Sequence, residues 1–123
     1  DQQIKAKRGL IEVYNNNLTS EFQKPIEPMN CYHSYQSYHV VLEERINRNL
    51  IIKKLSEKGI GSNYGAQCIP ETHYYKKKYK INCSKILPNA LKAYNSGLVL
   101  PLYNSLKKSE IMYVCENLNS LVK

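Results

Sequence analysis

The stretch "CYHSYQSYHVVL", residues 31–42, constrains the fold most. Its β-branched and aromatic content and its alternation predict a strand. Successive side chains on a strand point to opposite faces. One face would then carry Tyr32, Ser34, Gln36, Tyr38 and Val40, and the other His33, Tyr35, Ser37, His39 and Val41. Both faces bear aromatics, so a sheet built on this strand needs cover on two sides. Helices of the chain can supply one side, and something else must supply the other.

The flanking segments supply the helices. Residues 2–19 space Ile4, Ile11, Tyr14 and Leu18 along one helical face, with the asparagines at 15–17 weakening the end. Residues 21–30 hold two prolines and read as an extended connector. A helix is expected from Arg48 to Lys58, with Asn47 as N-cap and Leu50, Ile51 and Leu55 as its buried stripe. Gly59 then fits the left-handed position of a C-terminal cap, followed by apolar Ile60. "GSNYGAQCI", residues 61–69, reads as a second strand, interrupted at Gly65 by a bulge or a close backbone approach. Pro70 ends it. "ETHYYKKKYK" predicts a short helix anchored by Tyr74, Tyr75 and Tyr79. "SKILPNALKAYNSG" predicts a helix with Pro88 in its first turn and Gly97 after its last. "LVLPLY" reads as a short strand, and a last helix spans 108–122, with Ile111, Val114, Cys115, Leu118, Leu121 and Val122 at helical spacing. Together these define an α+β class: one domain over residues 1–123, a small mixed or antiparallel sheet with helices packed on one face.

Several chemistries can be tested against the residues. Lys and Arg number 18 against 10 Asp and Glu, a formal charge of +8, which favours anionic partners or simply a solvated basic face. The glycines at 59, 61 and 65 follow a helix and lead into a strand, the reverse of a phosphate-binding loop. "HYYKKKYK" could stack bases and neutralise phosphates. No nucleic-acid-binding module signature accompanies it, so its tyrosines are expected to face the core and its lysines to be solvated. The cysteines Cys31, Cys68, Cys83 and Cys115 are widely spaced and read as reduced thiols. With His33 and His73, Cys31, Cys68 and Cys83 could form a metal set, but the C-x₂-C pair that fixes two zinc ligands is absent. His33 and His39 would share a strand face six residues apart, too far for a dyad. No apolar run approaches the ~20 residues of a membrane span, and no secretory signal is visible. A cytoplasmic location is expected, without membrane or nucleic-acid partners. The chain begins at Asp1, as a processed product, a recombinant piece or a fragment would.

The ordered set "YQSYHVVL", "INRNLIIKKLSEKGIG", "SNYGAQ", a tyrosine–lysine helix, "AYNSGLVLPLY" and a closing amphipathic helix resembles one family. "KAKRGLIEVYNNNL" resembles that family's preceding helix. The chain is similar to the C-terminal, small domain of the DegT/DnrJ-type sugar aminotransferases. These are fold-type-I enzymes that use pyridoxal phosphate (PLP) to aminate keto-sugars, most of them nucleotide-linked. Relatives often carry a histidine after the SNYGAQ-like segment; here Pro70 stands at that point and His73 lies three residues on.

The resemblance implies a role in cell-surface polysaccharide or amino-sugar biosynthesis. It places the Schiff-base lysine and the PLP-binding residues in an N-terminal large domain absent from these residues. The chain alone would then bind no cofactor, hold no catalytic or metal-binding residue and be inactive. Its expected partners are that large domain, a nucleotide-sugar, an amino donor and, when full-length, a second copy in a homodimer. Tyr35, Gln36, Asn63, Tyr64, Gly65 and Gln67 are the expected substrate-binding residues. An exposed tyrosine-rich patch is expected where the large domain would sit. The alternatives are a stand-alone module binding nucleotide-sugars or anions, and a basic nucleic-acid-binding protein.

Overall fold

The computed structural model describes residues 2–122. Helix α1 (Gln2–Asn17) buries Leu10, Ile11 and Tyr14, and Leu18 continues that face just beyond it. Three antiparallel strands follow in spatial order β1 (Phe22–Gln23), β2 (Tyr38–Leu42) and β3 (Gly97–Leu100). The pairs Phe22–Leu42, Tyr38–Leu100 and Val40–Leu98 set the register. All six of these side chains are buried in one core with Ile11, Tyr14, Ile111 and Leu118. This core face is covered by α1 and by α6 (Lys108–Leu121), which pack on each other. Tyr14 stacks on Tyr38 with ring centroids 4.6 Å apart, and its hydroxyl donates to the Pro101 carbonyl at 2.8 Å.

The asparagine run closing α1 is compensated from α6. Asn119 donates its side-chain amide to the Asn17 carbonyl at 2.8 Å and so satisfies one of the acceptors a helix end leaves open. Helix α2 (Arg48–Glu57) has the ends its sequence implies. Asn47 accepts from the Leu50 amide at 3.1 Å. At the other end Ile60 donates to Leu55 and Gly59 to Ser56, with Gly59 at φ +75°, a Schellman closure. The buried stripe of α2 is Ile51 and Leu55, with Ile52 beside the core; Leu50 points outward.

Four expectations require correction. The first strand begins at Tyr38, not at Cys31, because Tyr35 adopts a left-handed conformation at φ +48° and breaks the extended run. His33 and His39 therefore do not share a strand. Residues 61–69 form no strand: after one bridge, Asn63 to Val99, the chain leaves the sheet. The segment around Pro88 divides into α4 (Cys83–Ile86) and α5 (Pro88–Ser96), because proline disfavours helical backbone in the residue before it, Leu87. The tyrosine–lysine segment does form helix α3 (His73–Tyr79), entered from a 3₁₀ turn over Ile69–Glu71. Its tyrosines do not anchor it, since Tyr74, Tyr75 and Tyr79 are 59%, 39% and 52% exposed. Of the exposed tyrosines among the described residues these three lie on α3, and Tyr32, Tyr64, Tyr103 and Tyr113 lie elsewhere.

Candidate functional site

The loop over residues 61–67 is built by its two ends. The Schellman closure of α2 ejects the chain at Gly59, and Asn63 then docks on β3, its carbonyl accepting from the Val99 amide at 2.8 Å. The Asn63 side-chain oxygen accepts from the Tyr64 amide at 2.8 Å, a local turn that bends the chain off the sheet. Tyr64 then lies under the Arg48 guanidinium, 4.7 Å from ring centroid to carbon. Arg48 is itself fixed, donating to the Tyr94 carbonyl at 2.6 Å at the end of α5.

Gly65 sits directly on the imidazole of His39. A Cβ placed there would fall 1.6 Å from His39 Cδ2. The close backbone approach expected at Gly65 is therefore present, although the strand around it is not. Gly97 also approaches His39: a Cβ there would lie 2.3 Å from Nε2 and 2.2 Å from the Ala93 carbonyl. Burial holds the His39 pKa below the usual imidazole value.

The expected substrate-binding residues separate into four groups. Gln36 and Asn63, from distant parts of the chain, line one cavity of about 380 Å³ with Ser37, Ser62, Val99 and Leu102. Tyr64 lines a different cavity with Arg48, Asn49, Ile52 and Tyr94. Gly65 and Gln67 are exposed along the loop between α2 and the 3₁₀ turn. Tyr35 belongs with neither cavity. It is 6% exposed, stacks on His33 at 4.1 Å and donates its amide to His33 Nδ1 at 2.9 Å. What Tyr35 does is turn the chain, leaving the adjacent Gln36 exposed.

That turn is clamped by Arg8 of α1, whose two terminal nitrogens reach Glu27 at 2.6 and 2.9 Å. Arg8 also donates to the His33 carbonyl at 2.9 Å and lies over the Tyr32 ring. The Arg8 bond, assisted by the His33 amide, holds the Glu27 carboxyl down at about 2. At the far end of the loop, Cys68 and Cys83 are buried outside the main core. Burial, then hydrogen bonding to Glu71 and Cys68, pushes the Cys83 thiol up to about 11. Glu71 pairs with Lys76 at 2.5 Å.

Sequence reasoning missed Ser62. Its hydroxyl is buried, lines the Gln36–Asn63 cavity and has no protein partner. A serine beside a loop glycine gives no signal in the sequence; only the enclosure does. Among the described residues no lysine is buried, and half-buried Lys24 is committed to the Asn15 and Leu18 carbonyls at 2.6 and 2.7 Å. None therefore has the desolvated, unengaged setting of a Schiff-base lysine, and the described residues by themselves do not fit PLP. Among them there is also no cluster of three or more metal-ligating side chains. No described helix is long and apolar enough to cross a membrane.

Fold and loop together define a small α+β domain with a polar loop docked on the end of its sheet. The chain belongs to the DegT/DnrJ/EryC1/StrS aminotransferase family, whose profile matches residues 1–119. It is 24% identical over 119 residues to the GDP-perosamine synthase of Escherichia coli O157:H7, covering 97% of this chain and 31% of that protein. Among solved structures it is similar to Spr1654 of Streptococcus pneumoniae in its PMP form, with TM-score 0.85, 21% identity, and coverage of 98% of this chain and 31% of that one. It is also similar to Helicobacter pylori PseC, an aminotransferase involved in pseudoaminic acid biosynthesis, with TM-score 0.83, 14% identity, and coverage of 96% and 32%. The chain thus spans about a third of the length of the relatives it matches.

Proposed function

We propose that this chain is the small, C-terminal domain of a PLP-dependent sugar aminotransferase, and that its 61–67 loop with Gln36 forms the sugar-facing wall of the active site. The observation that carries this reading is the unpartnered Ser62 hydroxyl, enclosed beside Gln36 and Asn63. A buried polar atom without a partner costs free energy unless something arrives to satisfy it. Hydroxyl and amide groups supply both donors and acceptors, the chemistry that reads a polyhydroxylated ring.

In this reading the substrate is a keto-sugar, nucleotide-linked, on the way to a polysaccharide or another amino-sugar product. The exposed tyrosines and lysines of α3 suit the charged part of such a substrate. PLP supplies an electron sink on a Schiff-base lysine. That chemistry lies with a larger domain outside these residues, which also meets the amino donor and pairs in a homodimer. This chain binds and orients the sugar, and alone it is inactive. The protein works in the cytoplasm.

The test uses the complete protein with nucleotide-linked keto-sugars as substrates. Ser62→Ala, Asn63→Ala and Gln36→Ala should each raise the sugar KM by about 5- to 10-fold, the equivalent of one neutral hydrogen bond. The half-reaction with the amino donor should change less. A sugar KM within twofold of wild type in all three variants would refute the assignment.

A further inference from the structure

Beneath the 61–67 loop lies a contact that no side-chain hydrogen bond explains. His39 stands on the face of β2 opposite the main core, against the backbones of Gly65 and Gly97. The space where Gly65 would carry a Cβ is filled by the ring: such an atom would fall 1.6, 1.8 and 2.7 Å from Cδ2, Nε2 and Cγ. Nε2 is buried and has no hydrogen-bond partner. The ring is therefore held there by its shape, at the cost of leaving a polar atom unmatched.

We propose that His39 is the positioning residue of the candidate site, a spacer whose thickness sets how high Asn63, Tyr64 and Gly65 ride over the sheet. This rests on the reading of 61–67 as a substrate wall. Beyond this contact the wall's tie to the sheet is the bond from the Val99 amide to the Asn63 carbonyl, made two residues before Gly65. Removing the ring leaves Gly65 unsupported, and adding a methyl at 65 lifts the loop. Each change should strain the Asn63–Val99 bridge. Making both together should relieve it, because the new Cβ enters the volume the ring has left. Gly97→Ala behaves differently, since its Cβ would also meet the Ala93 carbonyl at 2.2 Å, which truncating His39 cannot move.

The experiment compares His39→Ala, Gly65→Ala, Gly97→Ala and the doubles of each glycine variant with His39→Ala, in the complete protein. Amide exchange at Val99 reads the bridge, and sugar KM against kcat reads the site. The two singles at 39 and 65 should each speed Val99 exchange about tenfold and raise sugar KM more than they lower kcat. The 39/65 double should return toward wild type on both readouts, and the 39/97 double should not. His39→Leu, which keeps bulk without a polar atom, should protect Val99 as wild type does. Additive damage in the 39/65 double, or a His39→Leu variant as exchange-labile as His39→Ala, would overturn the spacer. Rescue at Val99 with the sugar KM unmoved throughout would leave the spacer standing and remove the substrate wall.

Discussion

Replacing Tyr14 with Phe isolates the joint between α1 and the end of β3. Tyr14 is fully buried, its ring lies 4.6 Å from that of Tyr38 at 14° between planes, and its hydroxyl donates to the Pro101 carbonyl at 2.8 Å. Phe keeps the ring and its packing, so no cavity of side-chain size opens. What is lost is one hydrogen bond, and a carbonyl is left without that donor. A net bond contributes about 0.5–1.5 kcal/mol, and a stranded buried partner costs about 1–3 kcal/mol. We expect a destabilisation of about 1–3 kcal/mol, or roughly 4 °C in Tm per kcal/mol at this chain length. Urea unfolding should show a lowered midpoint at unchanged slope, since the exposed surface on unfolding stays the same. Tyr113→Phe is the control: that hydroxyl reaches the Lys58 carbonyl at 3.3 Å from a ring 47% exposed, and its loss should stay within about 0.5 kcal/mol. If Tyr14→Phe and Tyr113→Phe melt together at the wild-type temperature, the argument from buried partners fails for this domain.

Removing the α2 cap by Asn47→Ala should cost about 1 kcal/mol, and Asn47→Gly only a few tenths, read as shifts of the urea midpoint. Because the folded Glu27 carboxyl is held at about 2, below its ordinary 4.5, the stability it confers is complete above pH 4.5 and is lost as pH falls toward 2. The difference in Tm between wild type and Glu27→Gln should therefore be largest near neutrality and shrink through that window; a constant difference would contradict the assignment. Native-state amide exchange should find residues 69–87 opening well below the global unfolding free energy while α6 exchanges near it, and uniform protection would refute this.

The sequence carries the fold wherever a local rule and a buried face agree. Asn47 and Gly59 mark the ends of α2 because capping geometry is fixed by a few adjacent residues. α1 and α6 are legible because Tyr14, Ile111 and Leu118 recur at helical spacing and all are buried. The run at 31–37 alternates like a strand without being one, because alternation reports what a segment could do if paired, and pairing is a tertiary property. Here Tyr35 turns left-handed, and Arg8, 27 positions away, grips the backbone carbonyl of His33 instead. The same limit explains α3: helical spacing of Tyr75 and Tyr79 is as compatible with an exposed stacked pair as with a core stripe, and the rings stack at 5.5 Å on the surface. For the site, Gln36 and Asn63 were named from resemblance, and the fold brings them to one cavity. Ser62 could be found only from its enclosure.

The uneven burial bears on how the domain divides its work. Between residues 61 and 95 only Cys68 and Cys83 are buried, whereas the apolar core is drawn from α1, α2, the sheet, α6 and the residues flanking them. Stability comes mainly from apolar area removed from water, so the core elements can hold the fold whether or not the excursion is perfectly packed. The excursion is attached instead by directed contacts: Val99 to Asn63, Arg48 to Tyr94, and Gly65 on His39. Directed contacts fix position while committing few side chains to the interior. Had residues 61–69 continued as a paired strand, their side chains would have alternated toward and away from the sheet, and only half could have faced a substrate. Leaving the sheet after one bridge exposes Tyr64, Gly65 and Gln67 together. The loss of regular pairing that defeats the strand prediction is the same feature that leaves Tyr64, Gly65 and Gln67 open to solvent on one short loop.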